Sequence, residues 1–150
     1  MEAQLFGPYE IGKEFRTKIL YDNVGREPAI DVTIKAGSGL VDPPPVGAPF
    51  GQLKVKVVYK TCFAVAPEST KITVYPSTAR SYEHVSIMAA ALAKQEIKDG
   101  TKILYVSGCF RYSTFNRMHL SHFCFFMRPE VGKDVAEWRW RNCPEGNYAN

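Results

Sequence analysis

The chain has 150 residues, 45% of them hydrophobic and 23% charged, which supports one domain with a sizeable core and excludes a disordered chain. Its net charge of +4 is mild and spread along the sequence, so no nucleic-acid footprint is indicated. No apolar run approaches the roughly 20 residues of a membrane-spanning helix.

Residues 1–14 carry Gly7-Pro8 and Gly12 and read as an opening arm or short first strand. No signal-peptide pattern follows Met1, so the sequence is expected to be either cytosolic or a soluble piece of a longer protein. The domain proper is expected over residues 15–147, with 148–150 as a tail. Phe15, Thr17, Ile19 and Tyr21 alternate onto one face of a strand. Asn23, Gly25 and Pro28 supply turn chemistry, and Ile30, Val32 and Ile34 then line one face of the next strand. With so tight a turn, the two strands are expected to pair or to sit at adjacent edges.

Residues 36–51 read as a loop that runs from Gly37-Ser38-Gly39 through Asp42-Pro43-Pro44-Pro45. The triple proline predicts a stiff connection, with a recognition segment as the alternative. Leu53, Val55, Val57 and Tyr59 alternate with Lys54, Lys56 and Lys60, the pattern of a solvated or guarded edge strand. Residues 71–75 predict a strand, and 82–87 a further short one. Ser86 suits the cap of a single helix over 87–98, which Gly100 is placed to end.

The stretch from Thr101 to Arg128 is the centre of the chain. It predicts two strands joined by a tight connection at Phe115-Asn116, with Asn116 suited to a left-handed backbone. Leu104, Val106, Phe110 and Tyr112 share a face of the first arm, while Phe123, Phe125 and Phe126 give the second arm apolar residues on both faces. The register stays open, because a one-residue slip exchanges every face. Residues 136–143 predict a last strand, with Trp138 and Trp140 on one face, and the tail from Pro144 is expected to be loose. About 7–9 short strands with one short helix predict a mainly β fold, an antiparallel immunoglobulin-like β-sandwich.

Cys62, Cys109, Cys124 and Cys143 are an even number without CxxC or zinc-ribbon spacing, and they admit either disulfides or buried free thiols. His119 and His122 point to opposite strand faces, while His122 shares one with Cys124. A metal site would need further ligands, with Cys109 or His84 as candidates, and structural zinc takes four. Cysteine catalysis would need a base from another strand. No GxSxG, HExxH or phosphate loop is present. The expectation is therefore no enzyme and no cofactor, with a Cys/His-dependent enzyme or metal protein as the alternative. Trp138 and Trp140 predict core packing or, with Tyr105, Tyr112 and Phe125, an aromatic platform for sugar or peptide where exposed.

Three places together carry a resemblance: Asn23-x-Gly25-x-x-Pro28-Ala29, Tyr105-x-x-Gly108 leading through Phe115-Asn116 to Phe123-Cys124, and Cys143-Pro144-x-x-Asn147. The pattern resembles the C-terminal domain of small, uncharacterised bacterial membrane-anchored proteins, in which one or two N-terminal transmembrane helices precede it. The Asn-x-Gly turn also resembles bacterial adhesion-type immunoglobulin-like modules. The resemblance covers residues 15–147 and implies an anchor ahead of this sequence, whose domain lies on the extracytoplasmic side; a cytoplasmic location is the alternative. It implies a Cys124–Cys143 disulfide first, and Cys62–Cys109 second. It brings no established activity, so the expected role is non-catalytic binding or sensing of a protein or peptide partner. The surfaces expected to serve are Lys54, Lys56 and Lys60, the segment Asp42 to Pro45, and Trp138 with Trp140.

Overall fold

The computed structural model describes residues 2–6, 15–45, 72–86, 96–97, 99–115, 117–128, 132–133, 137 and 139–149. Within them run the strands β1 (Glu2–Phe6), β2 (Phe15–Asp22), β3 (Ala29–Val41), β4 (Ile72–Val74), β5 (Ala79–Ser86), β6 (Ile103–Thr114), β7 (Arg117–Arg128), β8 (Arg139–Asn142) and β9 (Tyr148–Ala149). The domain is mainly β, and every strand pair is antiparallel. One sheet has the order β1-β2-β5 and the other β4-β3-β6-β7-β8, with β9 on β7 beyond the end of β8.

The central hairpin forms where the aromatic run predicts it. Thr114 pairs with Arg117, leaving a two-residue turn, and this fixes the register that the sequence left open. Ser107 then faces Cys124, and Cys109 faces His122. Leu104, Val106 and Phe110 join Phe123, Phe125 and Met127 in the main core. Ile19 and Tyr21 of β2 enter the same core, so the two sheets share one apolar layer. The opposite face of the hairpin is also covered: Ile103, Cys124, Phe126 and Cys143 form a second cluster. Burial on both faces explains why β7 is apolar throughout its second half. Two-residue hairpin turns require left-handed backbone, and here Phe115 adopts it at φ 46. Asn116, the residue expected to take it, lies outside the described residues. A bulky side chain in that region costs about 1–2 kcal/mol.

β3 departs from expectation in three ways. It does not pair with β2; the Asn23 turn carries the chain from one sheet to the other, and neither strand is an edge. Its alternation is broken by a bulge between Ile30 and Thr33, with Asp31 at φ 55. Ala29 and Val32 are therefore both buried, three residues apart, while Ile30 turns outward. It also continues through Gly37-Ser38-Gly39 to Val41, where a loop was expected, and pairs residue for residue with β6. Glycine marks close approach here, not a turn. A Cβ on Gly39 would lie 2.8 Å from the Tyr105 hydroxyl, and one on Gly108 would overlap the Lys35 carbonyl oxygen and the Phe123 ring.

The predicted helix over 87–98 falls almost wholly outside the described residues. Residues 96–97 are helical. Gly100 N–H donates to the Ile97 carbonyl and Thr101 N–H to that of Glu96, with Gly100 at φ 71, the bonding of a helix C-terminus. Among the described residues no helix is long and apolar enough to cross a membrane. The end of the chain is not loose as expected, since β9 pairs with β7 at Ser121 and His122.

Two glycine substitutions separate close approach from simple flexibility. Gly108→Ala is expected to lower stability by roughly 3 kcal/mol, because backbone and a core ring both stand in the way. Gly37→Ala, with nothing within 4 Å of the added carbon, is expected to stay within about 0.5 kcal/mol of the parent. Urea denaturation of the two variants measures the contrast. Phe115→Asn is expected to raise stability by about 1 kcal/mol, since asparagine tolerates the left-handed turn.

Candidate functional site

The β2–β3 turn is built around one carboxamide. Asn23 Oδ1 accepts from Gly25 N–H at 3.0 Å, the short loop that an Asx turn makes. Asn23 Nδ2 donates to the Glu27 carbonyl at 2.7 Å and to that of Val74 at 3.0 Å. The Asn23 carbonyl in turn accepts from Ser77 N–H at 2.9 Å. The turn is thus stitched both to itself and to the β4 region. It holds Val24 outward at 89% exposure.

A second carboxamide organises the chain end. Cys124 and Cys143 are joined by a disulfide, with their Cα atoms 5.3 Å apart. Beside it, Asn147 Oδ1 accepts from Cys124 N–H at 3.0 Å, and Nδ2 donates to the carbonyls of Cys124 and Cys143, each at 3.2 Å. Cys143 N–H donates to the Cys124 carbonyl at 2.9 Å. The Asn147 side chain therefore does for β7 what a neighbouring strand's peptide group would do, between the end of β8 and the start of β9. The disulfide implied by the resemblance is present, and the Cys-Pro-x-x-Asn spacing has this physical basis.

Between the β2–β3 turn and the inner face of the β6–β7 hairpin lies a cleft of about 940 Å³. Tyr21, Val32, Phe110 and Tyr112 give it aromatic and aliphatic walls, His119 and His122 add imidazoles, and the β2–β3 turn adds Asn23 and the charged Asp22, Arg26 and Glu27. The rings form a connected set. Tyr21 and Phe110 lie 4.8 Å apart, Phe110 and Phe123 5.2 Å, and Tyr112 stacks on His119 at 5.1 Å. Thr114 Oγ1 and His119 Nε2 are 2.7 Å apart across the two hairpin arms. That bond and the stack fix the imidazole at the edge of the cleft. Burial pushes the Tyr21 phenol above its ordinary pKa, with Arg80 pulling the other way. The phenol is therefore a neutral hydrogen-bonding group at physiological pH. Apolar walls with a few placed polar groups are the make-up of a ligand site.

The expected site residues are distributed otherwise. His119 and His122 do lie on opposite faces: His119 meets Tyr112, and His122 contacts Tyr148 with ring centroids 5.9 Å apart. Cys109, His122 and Cys124 share the outer face of the hairpin. Cys124 is bonded to Cys143, and Cys109 is disulfide-bonded as well. In this state neither sulfur is a thiolate, so neither acts as metal ligand or nucleophile. Among the described residues no group of three or more His, Cys, Asp or Glu is placed to hold a metal ion. Trp140 is half-buried against the main core, as core packing predicts. Asp42 is paired with Lys102, Oδ1 to Nζ at 2.6 Å, which ties the start of the Pro43-Pro44-Pro45 segment to the foot of β6. Cys62, Lys54, Lys56, Lys60 and Trp138 lie outside the described residues.

The sequence singled out neither Tyr21, Tyr112 and His119 as a group nor Asn147 as a structural bond. Tyr21 carries only the signal of an inward strand position, and Tyr112 groups with Trp138 and Trp140 instead; it takes the packing of two sheets to bring Tyr21 and Tyr112 together. No protein-family model matches the chain, and no curated protein and no solved structure matches it.

Two outcomes are expected. Asn147→Ala leaves the Cys124 amide and carbonyl without their partner and lowers stability by about 2 kcal/mol, read by chemical denaturation under oxidising conditions. His122 is buried, and desolvation lowers its pKa from 6.5. The unfolded chain then takes up the proton more readily, so stability is full above about pH 6.5 and declines as pH falls through the lowered folded-state value. That decline should flatten in His122→Gln, measured as melting temperature against pH.

Proposed function

We propose that this chain is an immunoglobulin-like β-sandwich acting on the extracytoplasmic side of a bacterial membrane, to which a preceding segment anchors it. Its role in this reading is non-catalytic: it binds a protein or peptide ligand at the loop-end cleft. The strand order supports the architecture. β1-β2-β5 corresponds to strands A-B-E of such sandwiches, and β4-β3-β6-β7 to C′-C-F-G, with the turn after β2 crossing between sheets as the B–C connection does. The oxidised cysteines support the compartment, because disulfides persist where the environment is oxidising.

The observation that carries the binding role is the cleft itself. Its walls are rings and aliphatic side chains, and it opens between two turns whose shapes are fixed by the Asn23 bonds and by the hairpin register. Such a preformed concavity loses little entropy on binding. The rival reading, a small enzyme or metal protein using Cys109, His122 and Cys124, requires thiolates that the disulfides remove.

A photo-crosslinking phenylalanine analogue in place of Tyr112, introduced in the producing cell, tests this. Adducts are expected from that position and not from Arg139, which is exposed and pairs with Arg128 at the end of β7 opposite the hairpin turn. Equal adducts from both positions, or none from Tyr112 with folding intact, would contradict the reading.

A further inference from the structure

The loop end of the domain carries apolar side chains where water should be. Phe115 is 77% exposed, Met118 62% and Val24 89%, each on or beside a turn that borders the cleft. Phe115 adds a second anomaly, because the two-residue turn holds it left-handed at φ 46, where glycine or asparagine would sit without strain. A large ring placed against both solvation and backbone preference points to a use for the ring, since retained strain collects at working sites. On the hairpin itself the charge near the tip has one sign, with Arg111 and Arg117 and no acid in residues 103–128, while the acids of this end, Asp22, Glu27 and Asp31, belong with Arg26 to the neighbouring β2–β3 turn and the start of β3. Arg111 Nε donates to Met118 Sδ at 3.1 Å, so guanidinium and thioether are held together beside the tip, and Arg117 is exposed next to it.

We infer that the β6–β7 tip is a membrane-docking finger: Phe115, with Met118 on the following strand, enters the interface of an anionic lipid bilayer while Arg111 and Arg117 meet the headgroup phosphates. Shape favours lipid over a protein partner. A stable protein interface needs about 800 Å² on each side, and a convex two-residue tip does not supply it. A bilayer interface is fluid, demands no complementary surface, and takes up aromatic rings and cationic headgroup contacts together. Glu2 pairs with Leu20, which places the start of β1 at this same end of the sandwich. The anchored reading proposed above would thus bring the tips to the membrane; the docking itself rests only on this end being the working end.

The test is sedimentation of the full oxidised chain with vesicles of phosphatidylcholine and with vesicles also containing phosphatidylglycerol. Binding to the anionic vesicles is expected, weakening as salt rises. Phe115→Asn is expected to reduce it at least about tenfold, the factor that follows from losing one buried ring. Its melting temperature should equal or exceed the parent's, so the loss is not a failure to fold. Arg117→Gln should narrow the difference between the two vesicle types. Absence of binding by the parent, or undiminished binding by Phe115→Asn, overturns the inference. The Tyr112 adduct should survive in Phe115→Asn, so loss of docking leaves the cleft reading standing.

Discussion

Everything else in this domain depends on the register of the β6–β7 hairpin. The two-residue turn between Thr114 and Arg117 sets it, and from that single pairing each face receives its side chains. The inner face takes Phe110, Phe123 and Phe125 into the layer shared with β2, while the outer face takes Cys124 to the position where Cys143 meets it. A slip of one residue would send the phenylalanines out and the cysteine in. The strain at Phe115 is tolerated because these two buried faces over-determine the turn.

From that hairpin outward, the fold uses side-chain amides where strands run out. Asn23 holds the crossing from β2 to β3, and Asn147 fills the gap between β8 and β9 along β7. Both stand where continuous ladder pairing stops. Both asparagines also line the cleft. The proposed binding role therefore follows from where the regular pairing stops.

Much of the strand pattern was legible because period-two alternation survives wherever one face is buried. Ile19 and Tyr21 on β2, and Leu104, Val106 and Phe110 on β6, take the faces their spacing predicts. What failed has local physical causes. The bulge at Asp31 shifts the phase of β3, a one-residue event that composition does not announce. Gly37 to Gly39 imitate a turn, yet Gly39 serves to let Tyr105 lie across the strand, a contact with a residue more than sixty positions away. The Asn23 turn was readable as a turn but not as a change of sheet, since that depends on which partners β2 and β3 find. The cleft was least legible of all. Its ring pairs join β2 to β6 and β6 to β7, and no local spacing encodes the first of these contacts.

The proposed role requires a disulfide-held domain that displays its loop end outside the cytoplasm. Thiol labelling in intact producing cells, followed by intact mass of the purified chain, tests it most directly. No label is expected at any of the four cysteines until a reductant is added, and label at all four afterwards. Cysteines that take the label in the cell without reductant, Cys124 and Cys143 above all, would contradict it and return the chain to the cytoplasm.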